Sequence, residues 1–185
     1  MVINYLEVKG QNIDYLQNDL NLHWATREGE AFRLLNYITK QFNDITIIDA
    51  GTHYGWSAYC LKQNPTNKII TYDITDQFDN QYLKNIANVE VKILDVNQED
   101  ISILHSAEVI YLDIDPHDGA QEKVFTDILL RTEWQGYLFC DDIHINEGMQ
   151  TWWDSITLNK YDLTEVGHVH GTGLITYNRE VTIVK

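Results

Sequence analysis

The chain has 185 residues, 44% of them hydrophobic, which suits one domain spanning 1–185 with a sizeable core and excludes a disordered chain. Its formal net charge of −15, with no run of Lys or Arg, argues against general affinity for nucleic acid or an anionic membrane. No apolar stretch is long enough to span a bilayer, and Met1-Val2-Ile3-Asn4-Tyr5 lacks the start of a signal peptide, so a cytoplasmic protein is expected. Cys60 and Cys140, far apart and in apolar company, read as two buried free thiols.

Residues 1–44 read as an N-terminal helical segment. Glu28 to Lys40 sets Ala31, Leu34, Leu35 and Ile38 at helical spacing, with Thr26 as cap and Glu28 and Glu30 in the first turn. Ile45 to Asp49 is a short buried strand. Ser57 to Gln63 opens a helix that Asn64-Pro65 stops. Lys68 to Asp73 is a second strand, Gln77 to Ile86 a helix, and Val89 to Asp95 a third strand. Glu108 to Asp113 is a fourth strand, Ala120 to Leu130 a helix, Gly136 to Asp142 a fifth strand, and Glu147 to Ile156 a helix. Tyr161 to Lys185 reads as β-hairpin material, with His168-Val169-His170-Gly171-Thr172-Gly173 as its turn. The alternation predicts an α/β fold with a mostly parallel sheet.

The five strands end in carboxylates: Asp49, Asp73, Asp95, Asp113 and the pair Asp141-Asp142. In a parallel sheet these ends share one edge, where ligands bind at the point of strand-order reversal. A row of acids is unfavourable there unless cations or hydroxyl-rich ligands meet it. Some of them, Asp95 first, can instead cap the following helix. After the first strand, Asp49-Ala50-Gly51-Thr52-His53-Tyr54-Gly55-Trp56-Ser57-Ala58 carries a strand into a helix N-terminus through glycines four apart. The spacing is not Gly-x-Gly-x-x-Gly, which favours S-adenosylmethionine over a dinucleotide. The expected cofactor residues are Asp49, Gly51, Thr52, Gly55 and Ser57 in this loop, with Asp113 bordering it. Asp73 is expected on the ribose hydroxyls and Asp95 near the adenine amino group.

This stretch resembles motif I of class I S-adenosylmethionine-dependent methyltransferases, and is most similar to the O-methyltransferase branch. The resemblance runs from about Glu28 to the final hairpin. It implies a Rossmann-like, doubly wound sheet of seven strands, mostly parallel, with an antiparallel C-terminal hairpin. It also implies that His168 and His170 lie near the substrate.

Methyl transfer to a hydroxyl requires alignment and removal of a proton. Asp113, Asp141 and Asp142, three acids without a thiolate, suit a hard divalent metal such as magnesium. The pattern is similar to catechol-type O-methyltransferases, with Asp142 where those have Asn. It is similar also to macrocin and cephalosporin-hydroxylase-like sugar O-methyltransferases, although Asp113-Ile114-Asp115-Pro116-His117 departs from their Asp-Gly-x-His. His117 is the preferred general base and His144 the second candidate. His53 is expected to bond locally, and Glu147 to start a helix. Of Trp152 and Trp153, one is expected in the core and the other as a substrate wall; Trp24 and Tyr54 are equally ambiguous.

The function expected is a metal-assisted O-methyltransferase acting on a hydroxyl of a small molecule or sugar. The short chain leaves little for a lid, so a homo-oligomer in which a second subunit helps enclose the substrate is an open alternative. Other readings are a non-catalytic S-adenosylmethionine-binding protein and a methyltransferase of a macromolecule. The acidity and the lack of an Asn-Pro-Pro-Tyr motif disfavour nucleic acid as substrate. A nicotinamide or nucleotide-sugar enzyme on a Rossmann sheet is disfavoured by the missing Gly-x-Gly-x-x-Gly.

Overall fold

The computed structural model describes residues 1–21, 30–76 and 81–185. The apolar runs become the central strands β2 (Thr46–Ala50), β3 (Lys68–Asp73), β5 (Ala107–Leu112) and β6 (Gly136–Asp141). They are buried on both faces, as parallel strands covered by helices must be. Consecutive residues face opposite cores. Ile47, Ile69, Val109 and Phe139 pack on one side with Leu34, Leu35 and Ile38 of α3 (Phe32–Thr39) and Ala58 and Leu61 of α4 (Trp56–Leu61). Ile48, Ile70, Ile110 and Leu138 pack on the other with Phe125 and Leu129 of α7 (Ala120–Arg131) and Met149 and Trp152 of α8 (Glu147–Ser155).

The main sheet has seven strands in the order β4-β3-β2-β5-β6-β8-β7, with β4 at Val89–Ile93, β7 at Lys160–Asp162 and β8 at Thr172–Tyr177. All neighbours are parallel except β8, which is antiparallel to both β6 and β7. The expected Rossmann-like, doubly wound sheet with an antiparallel C-terminal hairpin is therefore observed. The chain builds from β2 outward to β4, then returns to β5 on the other side of β2. That reversal opens a crevice between the carboxyl ends of β2 and β5.

Several local expectations change. The N-terminal segment opens with a strand, β1 (Val2–Asn4), followed by helices α1 (Tyr5–Lys9) and α2 (Asp14–Leu20). β1 pairs in parallel with β9 (Thr182–Val184) as a separate two-stranded sheet, so residues assigned to the hairpin return to the start of the chain. Three residues of strand carry no periodicity, which is why neither piece stood out. Gly173 lies inside β8 rather than in a turn. Helix α5 (Gln81–Lys84) matches part of the predicted 77–86 helix, and α6 (Ile101–Ser106) was not predicted. Thr26, Glu28 and Trp24 lie outside the described residues. Both Trp152 and Trp153 are buried, at 4% and 5% exposure, so neither forms a substrate wall. Cys60 and Cys140 are buried and free, as expected.

Buried polar groups tie the layers together. Asn67, fully buried, donates from Nδ2 to Thr39 O at 2.9 Å and Phe42 O at 3.2 Å and accepts from Ile45 N, joining the end of α3 to the starts of β2 and β3. Glu122 is different. It is 2% exposed, both carboxylate oxygens lack hydrogen-bond partners, and burial raises its pKa. A carboxyl whose folded-state pKa is raised destabilises the fold as the pH climbs from its unfolded pKa to its folded one. Glu122→Met is expected to stabilise the protein by about 1 kcal/mol at pH 8 and by much less at pH 4, read from urea denaturation. Equal effects at both pH values would contradict an uncompensated carboxylate.

Candidate active site

The loop after β2 is built on a close backbone approach. A Cβ on Gly51 would stand 1.7 Å from the Asp113 carbonyl oxygen, and its φ is +87°. Asp113 N donates to Ala50 O at 2.8 Å, while Gly51 N and Thr52 N both donate to Tyr72 O at 2.9 Å. The ends of β2, β3 and β5 are thus bonded together at the switch point. Gly55, with φ +81°, turns the chain into α4.

Not all of the expected cofactor residues face outward. Asp49 is fully buried and accepts from Thr71 Oγ1 at 2.6 Å. Burial raises its pKa, and the hydroxyls of Thr71, Ser57 and Thr52 work against that rise. Thr52 and Ser57 are themselves buried. Asp49, Thr52 and Ser57 therefore support the loop from beneath rather than line the cavity. Their side chains are buried under the Gly51 loop. The strand alternation that places Ile48 in one core places Asp49 on the opposite, buried side.

A cavity of about 570 Å³ lies over this edge, within the usual size of small-molecule and cofactor sites. Its wall includes Gly51, His53, Asp73, Asp95, Asp113 and His117. Asp73 accepts His53 N at 2.9 Å on one oxygen and Thr75 N at 3.0 Å on the other, which fixes the carboxylate against the Gly51 loop. That second oxygen, Oδ1, also accepts Thr75 Oγ1 at 3.2 Å, so Oδ2 is the oxygen that keeps a lone pair for a ligand hydroxyl. Asp95 does cap: it accepts Asn97 N at 2.9 Å at the start of the 3₁₀ turn Val96–Gln98. It also borders the cavity. Asn97 and Gln121 complete that wall and were not anticipated.

The acids beyond β5 and β6 meet histidines. His117 Nε2 lies 3.8 Å from Asp113 Oδ1 and 3.4 Å from Asp115 Oδ1, and its Nδ1 lies 3.9 Å from Asp142 Oδ2. His168 Nδ1 lies 2.8 Å from Asp142 Oδ1 and 3.3 Å from Asp141 Oδ2. These approaches are off the hydrogen-bond axis, so the His168 contacts are ionic. Burial opposes the charged imidazole, yet Asp141 and Asp142 outweigh it and raise the His168 pKa to about 11. Thr172 Oγ1 accepts His168 N at 2.7 Å and donates to Asp141 Oδ1 at 3.2 Å, locking β8 to the end of β6. Asp113 is raised well above the usual carboxylate range, by burial first and then by Asp141 and Asp142.

The three acids expected as one metal set divide in two. Among the described residues, the groups with ligand atoms within 4.8 Å of one another are Asp113, His117 and Asp142, and Asp141, Asp142 and His168. His117 Nδ1 and Asp142 Oδ1 are buried without hydrogen-bond partners, so the donor atoms present fit a divalent cation. Glu30 joins them from the approach to α3: burial raises its pKa, and His168, Asp141, Asp142 and His170 all act on its charge. Its local sequence signals only a helix start, so nothing short-range marks it.

His144 is held in a local network. Its Nδ1 lies 2.6 Å from Gln150 Oε1 and its Nε2 2.8 Å from Asp162 Oδ2, so both nitrogens are engaged between α8 and the end of β7. His170 is exposed, edge-on to His168 at 5.3 Å. His53 stacks on Tyr54 at 3.9 Å while bordering the cavity, and Glu147 sits in the first turn of α8. His144→Gln is expected to lower stability by about 1 kcal/mol and to leave ligand affinity at the cavity unchanged. Calorimetric titration of S-adenosylmethionine beside thermal unfolding checks it. By contrast, Gly51→Ala should destabilise by about 3 kcal/mol or more in denaturant unfolding, because the Asp113 carbonyl cannot yield without breaking its strand pairing.

No protein-family model matches the sequence, and no curated protein matches it. Solved structures do. A Staphylococcus aureus protein assigned as a caffeoyl-CoA O-methyltransferase aligns with TM-score 0.66 at 13% identity, over 94% of this chain and 96% of that one. An SAH-bound methyltransferase from Podospora anserina aligns with TM-score 0.60 at 11% identity, over 80% and 78% of the two chains. An rRNA methylase from Streptococcus thermophilus aligns with TM-score 0.53 at 15% identity, over 78% and 95%. With its strand order and antiparallel β8, the chain has the Rossmann-like fold of the class I methyltransferases.

Proposed function

We propose that the protein is an S-adenosylmethionine-dependent O-methyltransferase acting on a hydroxyl of a small molecule or sugar, with a divalent ion held by Asp113, His117 and Asp142. The observation that carries this reading is the continuity of the cavity wall. It runs from the Gly51 loop and the Asp73 and Asp95 carboxylates to Asp113 and His117. A nucleoside held at one end therefore points its far end at the acid–histidine cluster. Fold relatives that include methyltransferases support the donor class, and their range of acceptors leaves the acceptor to be argued from this site.

Asp73 takes the ribose diol, and its bonds to His53 N and Thr75 N hold it in place for that role. Asp95 faces the adenine end. The bound donor supplies a methyl group on sulfonium sulfur, which leaves sulfur as the new oxygen–carbon bond forms. A bound ion would make the acceptor hydroxyl acidic enough to release its proton to solvent. Asp113, His117 and Asp142 would hold that ion, and through it they would position the acceptor oxygen.

A metal-free variant of the reading has His117 as general base. The ion-pair distances from His117 Nε2 to Asp113 and Asp115 favour it, since they would steady the ring as it accepts a proton. The two roles exclude each other, because each uses the same lone pair.

Titration of S-adenosylmethionine into the purified protein should give micromolar-range affinity, about −8 kcal/mol, with or without chelator. Asp73→Ala should weaken it at least about tenfold, or about 1.4 kcal/mol. Asp113→Asn should retain binding and abolish turnover in an acceptor screen. Chelator should abolish turnover under the metal-assisted reading and spare it if His117 is the base. No binding by the wild-type protein would overturn the proposal.

A further inference from the structure

Asp142 stands between two histidines, one against each oxygen of its carboxylate. Oδ2 lies 3.9 Å from His117 Nδ1, and Oδ1 lies 2.8 Å from His168 Nδ1. Each histidine also faces a second carboxylate, Asp113 for His117 and Asp141 for His168. The result is two three-residue groups that share Asp142 alone.

Two further observations set this arrangement apart from a crowd of surface acids. Asp142 is 7% exposed, and its Oδ1, aimed at the second group, has no hydrogen-bond partner. Asp142 and His117 both adopt left-handed backbone conformations, with φ +57° and +52°. Non-glycine residues enter that region at a conformational cost that the surrounding structure must sustain, and such residues concentrate at functional sites.

We propose that this edge binds two divalent cations, bridged by the Asp142 carboxylate. The first is held by Asp113, His117 and Asp142, and the second by Asp141, Asp142 and His168. The first site is the one already proposed for hydroxyl activation, and the inference rests on that reading there; the second site goes beyond it. Each set mixes carboxylates with one imidazole. Such a set suits manganese, iron, cobalt or zinc better than magnesium or calcium, which prefer oxygen alone. A carboxylate with one oxygen on each ion sets the spacing of about 3.5–4 Å found in two-metal centres that grip one oxygen substrate from both sides. The second ion lies toward β8, on the side of Glu30 and His170, and adds an anchoring point for a neighbouring hydroxyl of the acceptor. A vicinal diol, as in a sugar or catechol, is the ligand class that uses both.

The probe is Mn²⁺ with the full-length protein. The wild type should retain two Mn²⁺ per chain after removal of free metal, measured by elemental analysis. Its electron paramagnetic resonance spectrum should be that of an exchange-coupled pair. His168→Ala and the milder His168→Gln should each retain one ion with an uncoupled spectrum, and His117→Ala should likewise lose one. S-adenosylmethionine titration on the same samples reports folding and the donor site. One uncoupled ion in the wild type, with the donor still bound, overturns the two-metal proposal and spares the single-ion reading. No retained ion, with the donor still bound, overturns both metal assignments; the His168 proton is then the counter-charge for Asp141 and Asp142. Two ions retained in both His168 variants overturn the assignment of the second site.

Discussion

The architecture depends on the passage of the Gly51 backbone against the Asp113 carbonyl. No side-chain carbon fits between them, since a Cβ would come within 1.7 Å of that oxygen. The contact lets the ends of β2 and β5 stay bonded where the chain reverses its direction of sheet growth. With Gly51 N and Thr52 N both on Tyr72 O, it fixes β3 as well. Three strand ends are thus held in one place, and the carboxylates they carry keep fixed relative positions. The Gly51 loop serves the ligand mainly by holding this scaffold, with Asp49, Thr71, Thr52 and Ser57 filling the space beneath it.

The second governing feature is electrostatic. Asp113, Asp141 and Asp142 converge at this edge, where burial first and then Asp141 and Asp142 disfavour ionisation of Asp113. His117 and His168 answer that charge from different elements, one from the loop after β5 and one from the loop before β8. The edge is therefore organised for a cation, whether carried by imidazole or bound from solution. The opposite end of the cavity is less acidic in character. There Asp73 and Asp95 are each stabilised by backbone N–H groups, and the wall is shared with Tyr72, Leu94 and Val96.

Much of this was readable along the chain. β-branched and apolar runs bounded by acids mark buried parallel strands, because a strand covered on both faces has no polar side to show. Parallel pairing then brings the carboxyl ends to one edge. What could not be read were features without local periodicity. β1 and β9, each three residues long, exist only because they pair across the whole length of the chain. Trp152 and Trp153 both find core positions because β8 and α7 close over α8 on two sides; Gly173 leaves room for the Trp153 ring, where its Cβ would stand 2.5 Å away.

The sequence by itself determined the fold class, the switch-point loop at Gly51 and the row of carboxylates, because each follows from short-range pattern and strand alternation. The tertiary structure decided where those groups lie. Register turns Asp49 inward and leaves Asp73 at the cavity. Packing engages both nitrogens of His144 and frees those of His117 and His168 to face acids. The return of β8 beside β6 brings His168 against Asp141 and Asp142. Such outcomes depend on contacts between residues tens of positions apart, and no local pattern records them.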